Sequence, residues 1–168
     1  MLSRWLEKEA CGKQLYGYLA GFVVAGFLWD VIAAEILYLL GIDFSSLSKT
    51  EKNIPMLTLT FPLVLIAGAL LEEVLFRLPL AFAVHMGWSV NNILAGAFVL
   101  SILFGALHGG APHILVQGGS GFLYSLLFLK CGGYQRKYLK ALATASTAHF
   151  LHNGMIVIAL IAGGETVF

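Results

Sequence analysis

Two adjacent carboxylates and one arginine interrupt an apolar stretch that runs from Gly68 to Pro79. Ionisable side chains are costly beside lipid, so these three should face the protein interior, form pairs or take part in chemistry. On a helix, Glu73 and Arg77 lie four residues apart on one face and can form an ion pair. Glu72 lies about 100° away around the helix axis, where this arginine reaches it less easily. The stretch therefore predicts either a buried salt bridge with Glu72 as a bystander or a structural pair beside a reactive carboxylate.

Two further apolar stretches carry polar residues at helical spacing. One contains Phe104 and His108, and the other contains His149, His152 and Asn153. Residues four apart share a helix face, so His149 and Asn153 lie together, with His152 a neighbour on the same broad face. One histidine in a membrane helix is often only an interhelical hydrogen-bonding residue, and Phe104 is expected to pack. Three polar sites on three separate stretches nevertheless predict one shared buried site.

The composition is typical of a membrane protein. Of 168 residues, 59% are hydrophobic and only 11% are charged, whereas soluble domains have about 25% charged residues. Five apolar stretches have lengths near that needed to cross a bilayer, and they cover residues 15–40, 54–86, 93–107, 112–130 and 141–162. The sequence thus predicts an all-α polytopic membrane bundle of about five transmembrane helices. The net charge of +1 argues against a nucleic-acid partner, because no basic face is available for phosphates.

Lysine and arginine cluster before the first apolar stretch and after the fourth. The positive-inside rule therefore predicts a cytoplasmic N-terminus and an external C-terminus. We expect residues 1–53 to form a cytoplasmic entry, the first transmembrane helix and a polar loop. Residues 54–168 then form the helical core that holds the candidate site. The polar residues of its helices reach comparable depths only if the second helix continues past Pro79, since proline often ends or kinks a helix.

The first predicted transmembrane helix contains two further features. Gly17 and Gly21 are four residues apart, which predicts a small-residue seam for helix packing. Asp30 follows Trp29 in the second half of this helix. It is interpreted either as part of an aromatic and acidic interfacial end or as a residue that lines a polar cavity.

Three short motifs resemble those of one family of membrane proteases. Residues 72–77 match E-E-x-x-x-R, residues 104–108 match F-x-x-x-H and residues 149–153 match H-x-x-x-N. They occur in that order, each in its own apolar stretch. In this the chain resembles the CPBP family of CAAX-protease and bacteriocin-processing (Abi-type) intramembrane proteases. The resemblance covers about residues 54–162.

The resemblance implies a role for each motif residue. Glu72 would activate a water as general base, and His108 would orient that water and shuttle protons. His149 and Asn153 would bind the developing oxyanion or orient the scissile carbonyl. The residues with supporting positions are Glu73, Arg77, Phe104 and His152.

A metal-dependent mechanism is the alternative. Glu72, His108 and His149 together would be adequate ligands for a catalytic zinc with an open fourth position. The sequence has no H-E-x-x-H motif to make zinc specific. The resemblance implies the metal-free glutamate mechanism, so no cofactor is expected.

The resemblance implies an intramembrane endopeptidase in a prokaryotic inner membrane. Its substrates would be peptides or small membrane proteins, such as bacteriocin or signal-peptide precursors or C-terminal sorting tails. A catalytically silent scaffold or immunity protein on the same fold is one alternative, which the intact motif set disfavours. A small transporter or channel subunit is another, which the lack of an inverted sequence repeat disfavours. The oligomeric state is left open.

Overall fold

The computed structural model describes residues 2–42 and 60–163. These residues form six α-helices: α1 (Leu2–Glu7), α2 (Lys13–Leu39), α3 (Thr60–His85), α4 (Val90–Leu107), α5 (Ala111–Phe128) and α6 (Tyr138–Ala162). A π-helical turn, Leu129–Gly133, directly follows α5. No strand occurs within the described residues. The prediction of an all-α fold is confirmed, and the five long helices coincide with the five apolar stretches.

Of the helices in residues 2–42 and 60–163, four are long and apolar enough to cross a membrane: α2, α4, α5 with its π turn, and α6. The 26-residue α3 is long enough as well, but Glu72, Glu73 and Arg77 lie near its middle and lower its apolar character. A polytopic helical membrane bundle therefore fits the fold, as predicted. The cytoplasmic position of the N-terminus stays a prediction.

Helix α3 continues through Pro79 and ends at His85. Proline inside a helix removes one backbone hydrogen bond, which membrane helices tolerate when neighbouring groups compensate. Beyond the proline, Leu80 and Val84 are buried in an apolar cluster shared with α4 and α6. This packing holds the last two turns of α3 in place. The condition for bringing Glu72 level with the histidines is therefore met.

Helix α5 lies at the centre of the bundle, where it packs against α2, α4 and α6. The backbones of α4 and α5 approach closely because glycines line their contact. A Cβ atom on Gly105 would lie 2.5 Å from the α5 backbone, and one on Gly118 would lie 2.8 Å from the α4 backbone. By contrast, a Cβ on Gly17 or Gly21 would meet no described atom within 4 Å. The predicted packing seam on α2 is wrong, because those two glycines face away from the bundle.

The N-terminal segment packs against the turn between α5 and α6. The Lys130 ammonium is buried and donates hydrogen bonds to the backbone carbonyls of Trp5 and Lys8. It also lies 4.7 Å from the centre of the Trp5 ring, which adds a cation–π contact. The backbone N–H of Ala10 in turn donates to the Lys130 carbonyl, over 3.1 Å. Lys130, predicted as the last residue of an apolar stretch before a basic loop, thus anchors α1.

An exposed ionic cluster completes this end of the molecule. Glu9 accepts hydrogen bonds from Lys137 over 2.6 Å and from Lys140 over 2.5 Å. These two bonds, the Lys137 one first, lower the pKa of Glu9 to about 2. Residues 43–59 lie outside the described residues, so the predicted boundary after residue 53 and the polar loop before it stay predictions.

Candidate active site

Three helices bring one carboxylate and two imidazoles together. Glu72 projects from α3, His108 caps the C-terminus of α4, and His149 lies on α6. The Oε1 atom of Glu72 is 3.7 Å from Nε2 of His108, and its Oε2 atom is 3.5 Å from Nε2 of His149. Both distances exceed those of an ordinary hydrogen bond. The Glu72 side chain is 34% exposed, so this group of three is reachable from outside the bundle.

The orientation of both imidazoles is set by their other ring nitrogen. Nδ1 of His108 lies 2.8 Å from the backbone carbonyl oxygen of Phe104. Nδ1 of His149 lies 3.1 Å from Oε1 of Glu73. A carbonyl and an ionised carboxylate only accept hydrogen bonds, so each Nδ1 carries the proton and donates it. In a neutral ring, Nε2 then presents its lone pair towards Glu72.

Glu73 is the centre of a buried polar cluster, which we call the Glu73 cluster and which comprises Glu73, Arg77, Ser125 and the carbonyl of Gly121. Arg77 donates to both oxygens of Glu73, from Nε over 2.8 Å and from Nη2 over 3.0 Å. Its remaining donors reach Ser125 Oγ over 2.8 Å and the Gly121 carbonyl over 3.1 Å. Glu73 is 1% exposed and Arg77 is 3% exposed. The ion pair that the sequence spacing predicts is present, and its carboxylate also orients His149.

Aromatic rings surround the two histidines. The Phe104 ring centre lies 4.4 Å from that of His108 and 6.0 Å from that of His149. The Tyr124 ring stacks on His149, with centres 5.6 Å apart and planes 19° apart. Phe104 packs as the sequence predicts. Tyr124 was missed because no motif marks it, although the glycines and serines around it do mark a closely packed face of α5.

Asn153 lies one turn beyond His149 on the same helix and is partly buried. No hydrogen bond or ion pair joins it to another side chain in the described ranges. The structure thus brings together three of the four predicted catalytic residues. The role of Asn153 stays a prediction.

His152, three residues after His149 on α6, faces α2. Its Nε2 atom lies 3.1 Å from Oδ2 of Asp30, although the two groups are not aligned as a hydrogen bond. His152 is 3% exposed and Asp30 is 8% exposed. The interfacial interpretation of Asp30 is therefore wrong, because this carboxylate is buried against α6. Sequence could not reveal the pair, since its two residues lie on helices far apart in the chain.

The choice between a metal-free and a zinc mechanism stays a prediction. Within residues 2–42 and 60–163, no three histidine, cysteine, aspartate or glutamate side chains are arranged to hold a metal ion. The chemistry that the site presents is that of a partly exposed carboxylate flanked by two oriented imidazoles. Such a set can accept, hold and pass on a proton.

A family model described as type II CAAX prenyl endopeptidase Rce1-like matches residues 54–155, which is more than half of the chain. The chain belongs to this family. The resemblance to CAAX-type proteases is thereby confirmed, and all three motifs lie within the matched residues. An integral membrane protein, as predicted, agrees with both the family and the apolar helices.

One relative extends the comparison beyond the matched region. The chain is 24% identical over 156 residues to a Bacillus subtilis (strain 168) protein named "Putative membrane peptidase YdiL". The alignment includes 90% of the chain but 59% of YdiL, so the chain spans about three-fifths of that relative's length. A bacterial relative agrees with the predicted prokaryotic origin. No solved structure matches the chain.

Proposed function

We propose that this protein is an intramembrane endopeptidase in which Glu72 activates a water molecule to hydrolyse a peptide bond. The observation that carries the proposal is the position of both Glu72 oxygens, 3.7 Å and 3.5 Å from Nε2 atoms on two other helices. Family membership supports peptidase chemistry. The geometry supports Glu72 as the base, because among the described residues it is the carboxylate of the motif that has no arginine or lysine partner.

The hydrolytic step uses the Glu72 carboxylate, the His108 imidazole and a water molecule. The Glu72 carboxylate accepts a proton from water while the Nε2 atom of His108 accepts a hydrogen bond from the same water. The resulting hydroxide attacks the carbonyl carbon of the scissile bond and forms a tetrahedral oxyanion. Glu72 then delivers its proton to the leaving nitrogen as the carbon–nitrogen bond breaks. This sequence balances protons without any further co-reactant.

Donors aimed at the oxyanion lower the barrier for this step. His149, when protonated, can donate from Nε2 to the oxyanion, while its Nδ1–H remains bound to Glu73 at 3.1 Å. Asn153 can supply a second donor from the next turn of α6. We propose these roles for His149 and Asn153, as the family resemblance implies.

Glu73 is poorly suited to act as the base. Two of its hydrogen bonds come from Arg77, and the carboxylate is only 1% exposed. A guanidinium fork occupies both oxygens of the carboxylate, so neither is directed at an incoming water. Glu72 makes no such contact and is 34% exposed. The two adjacent carboxylates therefore differ in function because they differ in partner and in access.

We propose that the substrate is a peptide or small membrane protein presented from the bilayer. The test uses the purified full-length chain in liposomes with two internally quenched peptide reporters. One ends in farnesyl-cysteine followed by three residues, as in a CAAX sequence, and the other is an unmodified apolar peptide. Wild-type protein should cleave at least one of them, and Glu72→Gln should cleave neither. Cleavage by Glu72→Gln at the wild-type rate would refute the assignment of the base.

Each of the three alternatives predicts a different experimental result. Stoichiometric zinc in the purified protein, lost in His108→Ala and His149→Ala, would replace the glutamate mechanism with a metal-dependent one. Wild-type protein that cleaves neither reporter, yet conducts protons or ions in liposomes, would support the transporter or channel alternative. Wild-type protein that does neither would support the silent scaffold or immunity protein.

A further inference from the structure

Helix α2 lies outside the residues that match the family model, which begin at residue 54. It nevertheless supplies part of the wall behind the candidate active site. Gly26 and Asp30, which are one helical turn apart, are both buried on the face of α2 that meets the bundle. Gly26 contacts Tyr124, which stacks on His149, and Asp30 contacts His152, whose ring lies against the same tyrosine.

The first contact is made by Gly26 with Tyr124. The Tyr124 ring lies between two histidines, with its centre 5.6 Å from that of His149 and 5.7 Å from that of His152. Its hydroxyl meets the bare backbone of Gly26, where a Cβ atom would lie only 2.7 Å from the oxygen and 3.3 Å from Cζ. Tyr124 is 1% exposed and cannot shift into open space. Gly26 therefore sets how far the ring stacked on His149 can move towards α2.

The second contact is made by Asp30 with His152, whose Nε2 atom lies 3.1 Å from Oδ2. Among the described residues, Asp30 Oδ1, His152 Nε2 and the Tyr124 hydroxyl are buried and have no aligned hydrogen-bond partner. Leaving several polar atoms unsatisfied in a bundle interior is costly. Ionisable residues kept within membrane segments at such a cost are candidates for a functional role.

We propose that Asp30 and Gly26 are positioning residues for the cleavage reaction. Asp30 holds His152, and Gly26 seats Tyr124, so that the ring of His149 keeps its Nε2 atom directed at Glu72. The first transmembrane helix is then part of the catalytic apparatus and more than a membrane anchor. This inference rests on the proposed function, since it takes His149 to act in cleavage.

The first test compares two glycines of the same helix. Gly26→Ala places a methyl group against Tyr124, whereas Gly21→Ala places one where nothing lies within 4 Å. We expect Gly26→Ala to lower kcat about tenfold with little change in KM, because small displacements of a catalytic group slow the chemical step. Gly21→Ala should match wild type. Adding Tyr124→Phe to Gly26→Ala removes the 2.7 Å contact and should restore most of the lost kcat.

The second test compares two carboxylates of α2. Asp30→Asn replaces the buried carboxyl group beside His152 with an amide, and Glu35→Gln makes the same change at an exposed position. Asp30→Asn should lower kcat about tenfold at unchanged KM, and Glu35→Gln should not. The ring proton of His149, followed by NMR in detergent and assigned with His149→Gln, reports its stacking on Tyr124 without any substrate. We expect the chemical shift of that proton to change in Gly26→Ala and Asp30→Asn. It should be unchanged in the controls Gly21→Ala and Glu35→Gln.

The outcomes separate this inference from the function on which it rests. If Glu72→Gln is inactive while Gly26→Ala and Asp30→Asn match their controls in kcat and in the His149 signal, the positioning role is refuted. If Glu72→Gln keeps full activity, the proposed function fails, whatever the His149 signal does. A lower melting temperature with unchanged kcat and an unmoved His149 signal would show a purely structural contact and would also refute the proposal.

Discussion

Glu72 and Glu73 are neighbours in the chain but belong to two different regions of the molecule. Glu72 is 34% exposed and lies 3.5 Å or more from its nearest imidazole nitrogens. Glu73 is 1% exposed and is bound by Arg77 through two hydrogen bonds of 2.8 Å and 3.0 Å. The first carboxylate can exchange protons with an incoming molecule, whereas the second is already committed to protein donors.

The difference follows from helix geometry. A single step along α3 turns the side chain by about 100°, which directs Glu73 into the bundle and Glu72 towards the gap bordered by α4 and α6. Complete hydrogen bonding makes a buried ion pair rigid, and incomplete hydrogen bonding leaves a group free to react. The structural carboxylate therefore differs from the reactive one in how completely protein donors hydrogen-bond it, and not only in its depth in the membrane.

The largest expected effect comes from making the same substitution at both positions. Glu72→Gln should lower kcat for reporter cleavage by about 10²–10⁴-fold, the usual contribution of a general base, with a melting temperature near that of wild type. Glu73→Gln should instead give a clear loss of thermal stability in detergent. The comparison breaks if Glu72→Gln unfolds the protein or if Glu73→Gln leaves its stability unchanged.

The next largest expected effect is a loss of stability when Arg77, the cation of the Glu73 cluster, is replaced. Arg77→Ala leaves the Glu73 carboxylate buried without its main partner, and removing one member of a buried pair costs about 3–5 kcal/mol. Equilibrium unfolding in detergent measures this loss. Arg77→Lys should recover only part of it, because an ammonium cannot donate along the two parallel bonds that a guanidinium makes. A variant with alanine that unfolds at the wild-type denaturant concentration would contradict a structural role for this pair.

A smaller loss of stability is expected at Ser125, and none at Ser146. Ser125 Oγ accepts from Arg77 over 2.8 Å and donates to the Gly121 carbonyl over 3.0 Å, so Ser125→Ala leaves buried groups unsatisfied. We expect a loss of about 1–3 kcal/mol in the free energy of unfolding. The hydroxyl of Ser146 on α6 is buried with no hydrogen-bond partner in the part of the chain that the structure describes, so Ser146→Ala should be neutral or slightly stabilising. Equal losses in both variants would indicate that packing, and not the Glu73 cluster, accounts for the cost.

The sequence predicted what depends on local pattern. Apolar runs indicated all five long helices, and the four-residue spacing indicated the pair of Glu73 with Arg77. Contacts between helices distant in the chain could not be predicted in the same way. Gly17 and Gly21 have the spacing of a packing seam but face outward, whereas Gly26, without such a partner, is the glycine that meets Tyr124. Which face of α2 turns inward is decided by its packing on α5 and α6, and this also decides that Asp30 meets His152.

The smallest expected loss of stability comes from breaking an ion pair that lies outside the bundle interior. Glu9 binds two lysines, but their side chains are 57% and 33% exposed, so water and salt screen the attraction. Glu9→Gln should therefore lower the free energy of unfolding by less than about 1 kcal/mol near neutral pH.

The contribution of Glu9 to the free energy of unfolding should depend on pH. Hydrogen bonds from Lys137 and Lys140 lower the pKa of Glu9 from 4.5 to about 2. A carboxylate with a lowered pKa in the folded state stabilises the fold above about pH 4.5 and loses that contribution as pH falls through about 2. The stability difference between wild type and Glu9→Gln should thus shrink to nothing over that range, while Glu7→Gln, at an exposed residue of α1, shows no difference at any pH. A Glu9→Gln loss as large as that of Arg77→Ala would show that exposed pairs matter here as much as buried ones, contrary to the distinction between Glu72 and Glu73.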